Sequence, residues 1–159
     1  MKIIIDNLVI EYKDEGSGQL LLFLHGWKDS LKSFESLIPD LSMNYRIISL
    51  DLPGFGKSSI PKEIWDLDNY INFINDFIKK LGLEVYVFIG HSFGGRIVIK
   101  GVALQILKSE KLILIATAGI AKRKTFKNYF FMIIAKFGRF LTYIPPFYFY
   151  QNILRRKLY

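Results

Sequence analysis

The polarity pattern alternates between short apolar runs and amphipathic segments. Lys2–Ile5 and residues 8–12 are two strand-like runs separated by Asp6-Asn7, which predicts a hairpin-like opening. Glu15-Gly16-Ser17-Gly18 reads as a turn. Leu20–Leu24, which follows it, is uninterruptedly apolar and suits a strand covered on both faces. Residues 30–41 predict a short helix with Phe34, Leu37 and Leu41 on one side, its regularity limited by Pro39. Arg46–Leu50 is the next strand and leads into a Pro/Gly loop over 51–61.

Residues 66–81 carry the clearest helical period, with Leu67, Ile71, Ile74, Ile78 and Leu81 at spacings of three and four, and Gly82 in the position that ends it. A strand over 85–89, a helix over 94–107 and a strand over 112–116 follow. Strands alternating with helices predict an α/β fold, a doubly wound and mostly parallel sheet. Ligands of such sheets gather at the carboxyl ends of the strands, where His25-Gly26, Asp51 and Ser92 all fall.

Composition divides the chain. Its length of 159 residues and 51% hydrophobic content provide for a buried core, which excludes a disordered chain. The net charge is +8, yet all 14 acidic residues lie before residue 122, together with 13 of the 22 basic ones. The remaining nine basic residues share the tail with Phe126, Phe130, Phe131, Phe137, Phe140 and Phe147 to Tyr150. This shift places a boundary near Gly119, between a core over 1–119 and a basic, aromatic, helical segment over 120–159. With no cysteine, disulfides and thiolate chemistry are excluded. The amino-terminal apolar run is cut by Asp6, too short for a signal peptide, and no uncharged apolar run reaches the ~18 residues of a spanning helix. A soluble, cytoplasmic protein is expected.

The chemistry centres on Gly90-His91-Ser92-Phe93-Gly94-Gly95, a G-x-S-x-G between a predicted strand and a predicted helix. A serine presented above the end of a buried strand needs a sharp turn, and small neighbours at Gly90 and Gly94 permit one. Together with Leu24-His25-Gly26-Trp27 and Asp51-Leu52-Pro53-Gly54-Phe55-Gly56-Lys57-Ser58, in that order along the chain, the pattern resembles the α/β-hydrolase family. The resemblance implies an incomplete hydrolase core followed by the start of a helical cap. It implies Ser92 as nucleophile and the backbone N–H groups of Trp27 and Phe93 as the oxyanion hole. His25, Gly26, Gly90, His91, Gly94 and Asp51 would then be structural residues at the site. The implied reaction is attack on an ester-like or ketone carbonyl through a covalent acyl-enzyme, with no cofactor and no metal. Serine at the elbow argues against the dehalogenase and epoxide-hydrolase branches, which use aspartate there.

The general base is missing. The family's order is serine, then acid, then histidine, but His25 and His91 both precede Ser92, and Glu110 is the one acid after it. Loss of a catalytic histidine costs roughly 10⁶ in turnover in a serine protease, so the chain alone is expected to be nearly inactive. Truncation is the simplest explanation, since complete members run to roughly 200–300 residues. It would leave the 112–116 strand as an exposed apolar edge, inviting self-association or a complementing carboxyl-terminal half. A degenerate, non-catalytic binding or membrane-surface module is the alternative.

Two other glycine patterns fail as nucleotide sites: Asp51 stands where a phosphate loop needs glycine, and Gly16-x-Gly18 precedes a strand. The tail over 122–159 reads first as a cap facing a small apolar substrate. Its second reading is a helix on an anionic membrane surface; nucleic acid finds no recognised binding module to support it.

Overall fold

The computed structural model describes residues 1–117, and the predicted cap segment lies outside them. Ten elements follow in order: β1 (Lys2–Ile5), β2 (Leu8–Glu15), β3 (Leu20–Leu24), a 3₁₀ helix (Leu31–Phe34), α1 (Ile38–Leu41), β4 (Arg46–Leu50), α2 (Leu67–Lys80), β5 (Val85–His91), α3 (Phe93–Ala103) and β6 (Lys111–Ile115). The six strands form one mixed sheet in the order β1-β2-β4-β3-β5-β6. β1 and β2 are antiparallel, joined through Asp6 and Asn7 at φ 48° and 64°, the left-handed pair of a two-residue hairpin loop. β2 also pairs antiparallel with β4, whereas β4, β3, β5 and β6 run parallel.

The apolar run of β3 is buried along its whole length because it serves two cores. Leu20, Leu22 and Leu24 pack with Ile48, Leu50 and Phe88 under Ile71, Ile74 and Phe77 of α2 and Ile97 and Val98 of α3. Leu21 and Phe23 face the other way, with Ile47, Val87 and Ile89 under Phe34 and Ile38. The doubly covered sheet is therefore present, with its amino-terminal hairpin as the antiparallel exception.

Two predicted helices differ from expectation. The segment over 30–41 is broken into the 3₁₀ helix and α1, because Pro39 offers no N–H for a continuous ladder and sits instead in the first turn of α1, where none is needed. The helix expected over 94–107 stops at Ala103: Gln105 turns left-handed at φ 58°, and the N–H groups of Gln105 and Ile106 cap the carbonyls of Val102 and Gly101. The reversal buries Leu107 against Gly101. α2 ends by the same geometry at Gly82 (φ 60°), as its sequence announces.

The connection from β3 leads to β4 on one side, and that from β4 passes back over β3 to β5 on the other. The order reverses between β3 and β5, so a crevice opens beyond their carboxyl ends. Among the described residues, no helix is long and apolar enough to cross a membrane.

Candidate active site

Ser92 follows β5 directly, at φ 48° and ψ −103°, a backbone conformation that a side-chain-bearing residue rarely adopts. Three hydrogen bonds hold the turn: Ser92 N–H donates to the Ile115 carbonyl at 2.9 Å, Gly94 N–H to the His25 carbonyl at 3.0 Å, and Arg96 N–H to the Ser92 carbonyl at 3.3 Å. Glycine is required here by close approach. A Cβ on Gly90 would overlap the backbone of Gly95, and one on Gly94 would overlap the Leu24 and His25 carbonyls. The first turn of α3 thereby sits directly on the end of β3.

Trp27 and Phe93 meet beside the serine, their rings edge to face at 5.1 Å. Phe93 occupies the first helical position, whose N–H has no partner within its helix, and Trp27 lies in the loop after β3. Among the described residues neither backbone N–H donates a hydrogen bond. Trp27, Ser92, Phe93 and Arg96 line one open cavity of about 360 Å³. A neighbouring cavity of about 560 Å³ shares Trp27 and runs along Phe55, Trp65 and Tyr70. The site thus adjoins a wall that carries aromatic rings together with the charged Lys28, Asp29 and Glu63.

His25 is wholly buried and uses both ring nitrogens. Nδ1 donates to the Gly26 carbonyl at 2.7 Å, and Nε2 accepts the Leu52 N–H at 2.9 Å. Burial pushes its pKa below the ordinary value, which favours this neutral form. With no nitrogen to spare, it ties the loop after β3 to the loop after β4. Asp51, also buried, makes a parallel connection: one carboxylate oxygen accepts the Leu31 N–H and the other the Lys57 N–H, both at 2.7 Å.

His91 has a different surrounding. Its Nδ1 is buried, has no hydrogen-bond partner, and lies 3.9 Å from Asp29 Oδ2 and against Gly26. Burial acts to raise the Asp29 carboxyl, but hydrogen bonds from the Ser33 hydroxyl and the Ser30 N–H outweigh it and hold the pKa below its usual value. No hydrogen bond joins either imidazole to Ser92 among the described residues. Glu110 precedes β6 and donates its N–H to Tyr86 near the start of β5, so it stands at the opposite end of the sheet.

Asp29 and Arg96 are the site residues that the motif reading passed over. Arg96 had a signal, since four residues after Ser92 on a helix is one turn above it. Asp29 had none, because only the folded loop brings it to His91.

Known proteins share the fold described above. The α/β hydrolase fold family matches residues 19–140. The chain is 33% identical over 116 residues to the 2-hydroxy-6-oxo-6-(2'-aminophenyl)hexa-2,4-dienoic acid hydrolase of Metapseudomonas resinovorans, covering 69% of this chain and 39% of that one. It is 34% identical over 121 residues to the AB hydrolase superfamily protein YisY of Bacillus subtilis, covering 75% and 45%. Among solved structures, the esterase EaEST of Exiguobacterium antarcticum superposes with a TM-score of 0.68 at 33% identity, covering 76% and 47%. The chain therefore spans less than half the length of these relatives. With a matching family pattern over most of its length and a sheet of the same architecture, the chain belongs to the α/β hydrolase fold family.

Proposed function

We propose that this chain carries the nucleophile half of a serine hydrolase acting on an ester-like or ketone carbonyl. Ser92 Oγ attacks the carbonyl carbon, the Trp27 and Phe93 N–H groups receive the developing oxyanion, and a covalent acyl-enzyme forms with loss of the leaving group. The observation that carries the reading is the positive φ of Ser92 at the carboxyl end of β5, a strained conformation set between the closely approached Gly90 and Gly94. A hydrolase activity is also what the matched relatives' names describe, including the esterase.

Among the described residues no hydrogen bond gives the Ser92 hydroxyl an acceptor, and neither His25 nor His91 bonds to it. His25 is committed at both nitrogens, and no histidine follows Ser92 in the sequence. An acid and a histidine from sequence beyond this chain would complete the site, and the chain alone should turn over almost nothing.

Chemical rescue tests this. A fluorophosphonate probe should label the 159-residue chain slowly, added imidazole should accelerate the labelling, and Ser92→Ala should abolish it. Imidazole-accelerated labelling elsewhere than Ser92 overturns the assignment. Absence of any labelling would favour the non-catalytic binding module.

A further inference from the structure

Within the cavity beside Ser92, one wall is a cation. Arg96 is exposed and lines that space with Ser92, Trp27 and Phe93. It sits one helical turn after the serine, which places both on the same side of α3. Its guanidinium forms no ion pair among the described residues, and residues 118–159 contain neither Asp nor Glu. Asp29 and Glu63, the carboxylates that line the adjoining cavity, form no ion pair with Arg96.

The contrast with Lys100 is informative. One turn further along α3, Lys100 is paired with Asp68 of α2 at 2.6 Å. The cation at the cavity is left open where the next one along the helix is closed off. The first turn of α3 holds no acidic residue, and the amino end of the helix adds its own positive potential to the same space. Trp27, which lines the same cavity, is 58% exposed, and the Phe93 ring meets its ring edge to face. Apolar walls with one fixed charge are the makeup of a small-molecule site in which the charge sets orientation. A guanidinium forks two parallel hydrogen bonds onto a carboxylate, a match that neutral esters lack.

We infer that Arg96 anchors a substrate carboxylate, so that the site takes a carbonyl compound with an apolar body and an anionic group. The inference rests on the reading of Ser92 as nucleophile for the word substrate, and on the cavity alone for the anion.

Phenylbutanoate and phenylbutanamide, matched in shape and differing in charge, test it on the intact 159-residue chain. Binding is followed by tryptophan fluorescence and by protection of Ser92 from imidazole-assisted fluorophosphonate labelling. The carboxylate should bind about tenfold tighter than the amide, the effect of one charge-assisted contact. Arg96→Gln should bring that ratio near one, and Arg96→Lys should keep part of it as a point charge without the fork. Equal binding of the two compounds, binding of neither, or a ratio unchanged in Arg96→Gln overturns the anchor. A preserved ratio with Ser92 refusing the probe overturns the nucleophile instead and leaves the anchor standing.

Discussion

At the scale of single residues, the site is written in two kinds of signal. The elbow was legible because its cause is local: Gly90 and Gly94 are the residues a sharp turn over a strand end demands, and they flank Ser92 in sequence. The strain it stores is measurable. Non-glycine residues at such dihedrals cost about 1–3 kcal/mol, part of which a glycine returns through the greater freedom of the unfolded chain. Ser92→Gly should therefore raise stability by about 1 kcal/mol in urea unfolding, while Ser92→Ala, strained alike, should change it by less than about 0.5 kcal/mol. His25 gives a second prediction. Its pKa is depressed by burial, and protonating Nε2 would break the bond from Leu52. The unfolded chain takes up the proton first, so the contribution is complete above the ordinary histidine value of 6.5 and is lost as pH falls from there toward the folded value. Unfolding free energy should drop by up to about 1.4 kcal/mol per pH unit in that window. His25→Gln, which keeps hydrogen-bonding capacity without titrating, should flatten the profile; an unaltered slope would assign it to another group. Asp29 and Arg96 escaped the sequence because their meaning lies in what the fold sets opposite them.

At the scale of elements, starts and stops were readable wherever the reason lay within the segment. α2 opens with a capping box, in which Asp66 Oδ1 accepts the N–H groups of Asp68 and Asn69 and Asn69 Oδ1 accepts the Asp66 N–H in return. Asp66→Ala should cost about 1 kcal/mol in thermal or urea unfolding. The helix closes on Gly82, and its apolar period gave Ile71 and Ile74 as core residues, but Tyr70, Phe73 and Phe77 are buried too because the helix lies deep between β1, α3 and the sheet. α3 shows the opposite case. Nothing in Leu104-Gln105-Ile106 announces an end; the stop comes from Leu107 folding back onto Gly101, a tertiary cause. Gln105 carries the left-handed turn without the residue type that suits it. Gln105→Gly should thus stabilise the chain by up to about 1 kcal/mol, where the same change in a helix interior would do the reverse.

At the scale of the whole molecule, the two sheet edges differ in how well they are protected. β1 is four residues long, opens on Lys2 and belongs to a tight hairpin, all features that blunt an edge. β6 has none of these beyond Lys111: Leu112, Ile113, Leu114 and Ile115 are 38–49% exposed on a strand whose outer side pairs with no other strand of the described sheet. A strand of that composition is a template for another strand. On the proposed function, the base that Ser92 requires and the neighbour that the β6 edge invites form a single deficit if one polypeptide supplies both. The 159-residue chain should associate with rising concentration in sedimentation velocity, and Ile113→Lys should shift it toward monomer by charging the edge. A monodisperse, cooperatively melting monomer contradicts the expectation. If the deficit is single, a polypeptide that pairs with β6 and restores Ser92-dependent ester hydrolysis must also suppress association, in the same stoichiometry. Hydrolysis restored with association unchanged would separate the two, and would mean that the base reaches Ser92 by a route other than the sheet edge.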